Sequence, residues 1–440
     1  MNSLPTLTNV TIRGRGRLAT RRVISALIVA SCLLTPVAMS SAAPAGYAWT
    51  LPNHFYLPSV VFSPDGRYLA LAGSVGPAYD FCIQPMCEGR LHIWDLRSGH
   101  RTFANEAKFA RVFSVVFSHD SQRLITGHSD GSVRVWSTNP IKVIQEYQCC
   151  GGRWIRALAI SPDGKTLAIG AQSGQLVLWN FAGGQARNLP GHLYGVSSLA
   201  FDASGEYLLS AADDQHVRRW NVRTGATYEF SRSPDRQKAH RGMVKSVALL
   251  NHDRWAVTGA YWEGGTTKDY AGVAPPDPVL RLWDVDKGRP IRGYPLTWGI
   301  RGPIRILNDG HRVVFLKAAG WDEGPVLQVF NLDTGDVERE VGPTMGESFH
   351  AMGVHPDGQQ VLINIGDGQY LLWNRASATV VAQLVSVDQG WAVLTPDGRI
   401  DFSDGFKSWP CQNNIRQACA GGTTASPVSG LLARVMGRAQ

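Results

Sequence analysis

The chain contains no CxxC pair, and its 12 histidines form no HxH or HExxH arrangement. Metal sites built from cysteine and histidine depend on such spacings, so the sequence suggests no metal centre. It also lacks a charge excess of the size that marks a nucleic-acid surface. The formal net charge of the 440 residues is +8, but five arginines and no acid fall within the first 42, which leaves +3 for the rest. A surplus that small, spread along the chain, reads as ordinary solubility. A membrane-spanning run is missing as well. The main apolar stretch, Val23 to Met39, has 17 residues with Pro36 inside it, which is short for a span.

That stretch has another reading. Arg13, Arg15, Arg17, Arg21 and Arg22 precede it, and small residues follow. Positive charge, apolar run and small residues in that order make the layout of a secretory signal peptide, with Ser40 and Ala42 at the positions a signal peptidase needs. Residues 1–42 are therefore expected to be a signal, and the protein to be exported, periplasmic or secreted, with no membrane span in the mature chain. Val29-Ala30-Ser31-Cys32 offers a lipoprotein variant with Cys32 acylated, against which Leu33 and Leu34 continue the apolar run. Arg21-Arg22 offers a twin-arginine variant, poorly continued by Val23-Ile24-Ser25.

Self-similarity dominates the remainder. An aromatic closes an alternating apolar strand at Trp94, Trp136, Trp179, Trp220, Trp283, Phe330 and Trp373, at spacings of 42, 43, 41, 63, 47 and 43 residues. Upstream lie turns: Ser63-Pro64-Asp65-Gly66, Ser161-Pro162-Asp163-Gly164 and His355-Pro356-Asp357-Gly358, with looser versions at 118–121 and 202–205. Pro fixes φ in such a turn, and Asp and Gly tolerate the angles that reverse the chain. Each unit makes four short strands, too few to bury both faces, so the units must pack on one another around an axis. The expected fold is all-β, a seven-bladed β-propeller of four-stranded blades spanning 43–385. A tail over 386–440 carries a hairpin-like Thr395-Pro396-Asp397-Gly398 segment and then a flexible end. An eighth blade, started by Gly390 to Ser403 and completed by 48–51, is the alternative.

Gly191-His192 followed by Val196 to Phe201, and the closing pairs Trp94-Asp95 and Trp283-Asp284, resemble the WD-repeat family, whose period is ~40–45 residues. The resemblance runs from about Ser59 to Leu384. It implies a buried hydrogen-bond tetrad of His, Ser or Thr, Asp and Trp in some blades. By offset these are His192, Ser210, Asp214 and Trp220 in one blade, and His240, Thr258, Asp277 and Trp283 in the next. The blade ending at Trp136 keeps Thr126 and Asp130, with Lys108 where His is expected. A His–Ser–Asp grouping imitates a catalytic triad, but groups that satisfy one another inside a packed blade are structural.

Three segments exceed the repeat, roughly Gly73 to Gly89, Tyr228 to Arg241 and Tyr261 to Pro278. In the family's blade order all three open on one face, which is therefore expected to be the contact surface. It would gather Tyr79, Phe81, Arg232, Arg236, Tyr261, Trp262 and Tyr270, joined by Trp154 and Tyr194 from loops entering blades. Aromatics and Arg dominate interface energy. Cys82 with Cys87, and Cys411 with Cys419, are the candidate disulfides of an exported chain. Adjacent Cys149 and Cys150 pair only through a strained ring. The function expected is a non-catalytic, monomeric scaffold without cofactor that binds another protein and no nucleic acid. The competing class is a propeller enzyme, lactonase-like or quinoprotein-type. That chemistry needs a metal or quinone held in the central channel, and no ligand-like position repeats from blade to blade. A third possibility is a component of a larger envelope machine.

Overall fold

The turns between first and second strands show how the repeat is built. In a computed structural model of the protein, Ser63 Oγ donates to Asp65 Oδ1 at 2.6 Å and accepts the Tyr68 N–H at 2.8 Å, while Gly66 takes a φ of +66°. The same Ser-to-Asp bond recurs at Ser118–Asp120 and Ser161–Asp163, both 2.5 Å. The motif thus supplies its own hydrogen bonds at a chain reversal. The structure describes residues 54–76, 88–104, 110–181, 183–231, 238–250, 252–261, 279–296, 299–318, 325–342, 351–388, 390–404 and 428–437.

Seven antiparallel sheets result, each made of consecutive strands. Blade 1 runs from His54 to Ala104, blade 2 from Val112 to Gln148, blade 3 from Ile155 to Leu189 and blade 4 from Val196 to Glu229. Blade 5 runs from Met243 to Tyr294, blade 6 from Ile300 to Val341 and blade 7 from Ala351 to Phe402. Alternation along each strand sends apolar side chains to both faces, because every blade is covered by a neighbour. The closing aromatics fill the seams: Trp94, Trp220, Trp283 and Trp373 are completely buried, and Trp179 and Phe330 nearly so. Apolar clusters bridge successive blades. One joins Ile93 of blade 1 to Val112 and Leu124 of blade 2, and another joins Val60 and Trp94 of blade 1 to Leu362 and Leu372 of blade 7.

The C-terminal part keeps the expected seven blades and the expected hairpin, and differs from the sequence reading in where they attach. The described residues close as seven blades, as expected, and the alternative eighth is not formed among them. Gly390–Leu394 and Ile400–Phe402 instead add a fifth and a sixth strand to blade 7, Gly390–Leu394 pairing with the fourth strand, Thr379–Val387. A boundary after 385 therefore falls inside a strand. Thr395-Pro396-Asp397-Gly398 resembles the first turn of a blade, but an outer strand with unpaired backbone groups accepts a hairpin without a new blade being needed. The chain end is not free over 428–437 either. A short helix, Leu431–Val435, buries Leu431 and Leu432 against Trp94, Leu96 and Trp391. Gly99 is required there, since its φ is +73° and a Cβ would lie 2.8 Å from the Ala433 nitrogen.

Candidate protein-binding face

Within blade 4 the tetrad is complete. Trp220 Nε1 donates to Ser210 Oγ at 2.8 Å, Ser210 Oγ lies 2.7 Å from His192 Nε2, and His192 Nδ1 lies 3.0 and 3.1 Å from the two oxygens of Asp214. Asp214 also accepts the backbone N–H of Leu193 at 3.1 Å and of His216 at 3.0 Å. Burial would raise the Asp214 carboxyl, but the His192 bond and charge and those two peptide N–H groups outweigh it and hold the pKa down to about 2. Burial lowers His192 despite Asp214. A neutral ring donating Nδ1–H to a carboxylate and accepting from the serine hydroxyl satisfies every partner. Ser210 is fully buried and its oxygen is already engaged by Trp220 and His192. It has no approach for a substrate, so the triad-like grouping ties the entering loop to its blade.

In blade 5, His240 Nε2 and Trp283 Nε1 both stand 2.7 Å from Thr258 Oγ1, and Asp277 lies outside the described residues. Blade 2 reaches the same end by a route the offsets missed. His128, two residues past Thr126 on the same strand, places Nε2 2.9 Å from Thr126 Oγ1, which also accepts Trp136 Nε1 at 2.9 Å. Its Nδ1 lies 3.0 Å from the Ala110 carbonyl, and burial lowers its pKa to about 4. The equivalent hydroxyl position is Leu71 in blade 1 and Ile363 in blade 7. The indole N–H groups of Trp94 and Trp373 accordingly have no hydrogen-bond partner among the described residues.

A second buried polar group was invisible to local motifs because its members are 294 residues apart. His92 Nδ1 lies 2.9 Å from Ser386 Oγ, and its Nε2 lies 3.5 Å from Asp388. Arg90 pairs with Asp388 at 2.7 Å and Glu88 at 2.8 Å, and Arg101 donates to the Val387 carbonyl. Burial lowers His92 to about 4 against the pull of Asp388, and lowers Arg101 to about 10. This cluster joins blade 1 to blade 7.

Loops between blades, and loops between second and third strands, open on one face because strand direction alternates within each sheet. Of the face residues expected from sequence, Trp154 and Tyr194 are solvent-exposed, at 47% and 64%, and Leu193 beside them at 77%. Trp154 stacks on Phe113 with ring centroids 4.9 Å apart. The blade 3 turn at 172–174 lies between these loops, with the Gln172 N–H bonded to the Trp154 carbonyl. Gly174, at a φ of +88°, packs so closely on the His192 and Tyr194 carbonyls that a Cβ would collide with them. Next to this patch Asp213 is shared by Arg156 at 2.6 Å and Lys245 at 2.8 Å. Tyr261 is half-buried, its hydroxyl accepting from Arg301 at 3.0 Å. Tyr79, Phe81, Arg232, Arg236, Trp262 and Tyr270 lie outside the described residues, as do Cys82, Cys87, Cys411 and Cys419. The sulfurs of Cys149 and Cys150 stand 2.06 Å apart in the loop that enters blade 3, and both residues are buried. Among the described residues no group of His, Cys, Asp or Glu could hold a metal ion, and no helix is long and apolar enough to cross a membrane.

A family profile described as WD domain, G-beta repeat, matches residues 98–137, 141–180 and 183–221. The first match starts next to the fourth strand of blade 1 and ends at the third strand of blade 2, so the sequence repeat is offset from the structural blade by one strand. Three segments of this seven-bladed β-propeller thus match the WD-repeat profile. The chain is 30% identical to WD repeat-containing protein SL1-17 of Schistosoma mansoni over 31% of its own length and 46% of the relative. It is 24% identical to Autophagy-related protein 16 of Arabidopsis thaliana over 62% of itself and 49% of that protein. The matches thus span less than half of these curated relatives. A chain in the crystal structure of the mitotic checkpoint complex shares the fold, with a TM-score of 0.57 at 18% identity over 72% of this chain and 90% of that one.

Proposed function

We propose that this WD-repeat propeller is a non-catalytic scaffold that binds another protein through the face carrying Trp154, Leu193 and Tyr194. The observation that carries the reading is this patch itself. Three large apolar side chains are left in solvent on adjoining loops, and beside them two cations, Arg156 and Lys245, share one carboxylate, Asp213. Exposed aromatics flanked by basic groups make an interface centre with a polar rim. The His–Ser–Asp groupings are consumed by structure, which removes the strongest argument for an enzyme. Relatives with WD repeats, and a fold neighbour within a protein complex, favour the same reading. Export belongs to the proposal too: the arginine-rich start, the apolar run and Ser40 and Ala42 support a cleaved signal and thus a periplasmic or secreted protein.

The test places a photo-crosslinking residue at Tyr194 and, as a control, at Asp163 on the opposite face, in the native host. A protein adduct from position 194 and none from 163 is expected. Adducts from 163 alone would move the surface to the other side. N-terminal sequencing of native material checks export independently, and a start at Met1 would end that part.

A further inference from the structure

One charge in the central channel is left without a partner. The first strands of the seven blades each contribute one equivalent residue to a ring around the axis. Register establishes the equivalence: Val61 pairs with Ala70, Val116 with Ile125, Ala159 with Ala168, Ala200 with Leu209, Ala248 with Val257, Arg305 with Val314 and Gly353 with Leu362. In every case the partner is the third residue of the second strand. Six blades place Val, Ala or Gly here, and the seventh places Arg305. All seven line a cavity of about 670 Å3 whose walls are otherwise mostly apolar.

Among the described residues the Arg305 side chain makes no ion pair and no hydrogen bond, and burial alone lowers its pKa, with no acid opposing it. The two carboxylates that also line the cavity are occupied at its mouth. Asp202 accepts the Tyr207 N–H at 2.9 Å and the Ser204 hydroxyl at 2.5 Å, and Asp253 accepts the Ala203 N–H at 2.5 Å. An arginine stays charged at any pH a protein survives, and a half-buried charge among mostly apolar side chains without a counter-ion costs stability. Such a cost is the usual mark of a site kept for binding.

We propose that the channel binds a small amphipathic carboxylate, with Arg305 gripping the carboxylate and the ring of Val, Ala and Gly residues holding its aliphatic body. The planar guanidinium matches a carboxylate with two parallel N–H bonds. The cavity lies within the ~300–1,000 Å3 of small-molecule sites. Its mouth lies among the turns at Pro64, His119 and Pro162, on the face opposite Trp154 and Tyr194, so the inference stands apart from the proposed partner surface.

The experiment is calorimetric titration of the purified full chain with decanoate, with 1-decanol and with inorganic phosphate. Decanoate should bind at least about tenfold more tightly than decanol, and phosphate should show no saturable binding. Arg305→Met should weaken decanoate at least about tenfold and leave decanol unchanged. Ala159→Leu, which fills the cavity from across the ring, should weaken both. The proposal is overturned if the native chain does not bind decanoate, binds decanol equally well or binds phosphate as tightly, or if Arg305→Met keeps native decanoate affinity. Should Arg305→Met fold poorly, the ligand comparison on the native chain and the Ala159→Leu variant still decide.

Discussion

Replacing Asp214 by alanine removes the acceptor of three N–H groups at once: His192 Nδ1, Leu193 N and His216 N. They are not equal in cost. Leu193 is exposed and His216 half-buried, so water can replace the carboxylate for their peptide groups. The His192 side chain is sealed inside the blade and cannot recover a partner. An orphaned buried donor costs about 1–3 kcal/mol, and losing the two charge-assisted peptide bonds adds about 1 kcal/mol. The sum is about 3 kcal/mol. The depressed carboxyl, at about 2 against the ordinary 3.8, points the same way, to a stabilisation of the order of 2 to 3 kcal/mol. For a propeller of this size that lowers the melting temperature by about 4 °C. Differential scanning calorimetry of Asp214→Ala at pH 7 measures it. Asp214→Asn, which keeps one acceptor oxygen, should lose about half as much. Partner capture should fall only as far as folding does. A variant that melts with the native protein yet captures no partner would refute the structural reading and return the His192–Ser210–Asp214 group to the functional candidates.

Thr126→Val, which strips the oxygen shared by His128 and Trp136, should cost about 2 kcal/mol by the same calorimetry, and a loss under about 0.5 kcal/mol would show that His128 does not complete the group. Acid should weaken the fold in two stages. His92 and His128 are held at about 4 by burial, below the ordinary 6.5, so the unfolded chain takes up protons first and stability drains away as pH falls from about 6.5 to about 4. Asp214, depressed from 3.8 to about 2, contributes stability that is lost below that window. Melts from pH 7.5 to 4 that show no fall in transition temperature would contradict the buried neutral histidines. Leu431→Asp, which forces a charge against Trp94 and Trp391, should destabilise by about 3 kcal/mol or more, and a neutral outcome in denaturant titration would mean that the terminal helix does not hold the seam.

The fold was legible because its signal is periodic. Seven aromatics at nearly constant spacing, each after an alternating strand, leave few architectures open, and the Ser-Pro-Asp-Gly turns name the strand ends. The tetrad of blade 4 was legible for the same reason, since its residues keep fixed offsets from Trp220. Offsets fail where a different residue fills the same space. In blade 2 the imidazole comes from His128 on the strand itself, while the offset scan rested on Lys108. A histidine two residues from Thr126 in a buried run was the available clue. The Arg90–His92–Ser386–Asp388 group had no local clue, because only the meeting of blades 1 and 7 creates it. Arg305 was readable in principle: aligning the first strands puts Ile304-Arg305-Ile306 against Val60-Val61-Phe62 and its five other counterparts, all apolar at the middle position. The hairpin of the last strands was legible, but the edge it joins was not, for a physical reason. A turn sequence states that the chain reverses, and the new strand then pairs with whichever edge is open, here the outer edge of blade 7.

That edge matters to how the ring holds together. Each blade is made of its own consecutive strands, and blades 7 and 1, the last and the first in the chain, are the neighbours not joined by a connecting loop between successive strands. Such a seam would part first unless something replaces the missing connection. Three kinds of contact do so. The apolar cluster around Val60, Trp94, Leu362 and Tyr370 packs the seam's interior. The His92–Ser386 bond and the Arg90–Asp388 pair also cross it, anchored by the buried side chains of His92 and Arg90. Trp391, on the fifth strand of blade 7, meets Trp94 of blade 1 with ring centroids 5.1 Å apart, and the Leu431–Val435 helix then covers both. The strands that the sequence offered as a tail are thus the outer fastening of the ring. They lie at the rim, away from the exposed Trp154 and Tyr194 on one face and the channel mouth on the other, so the propeller is closed without using either surface.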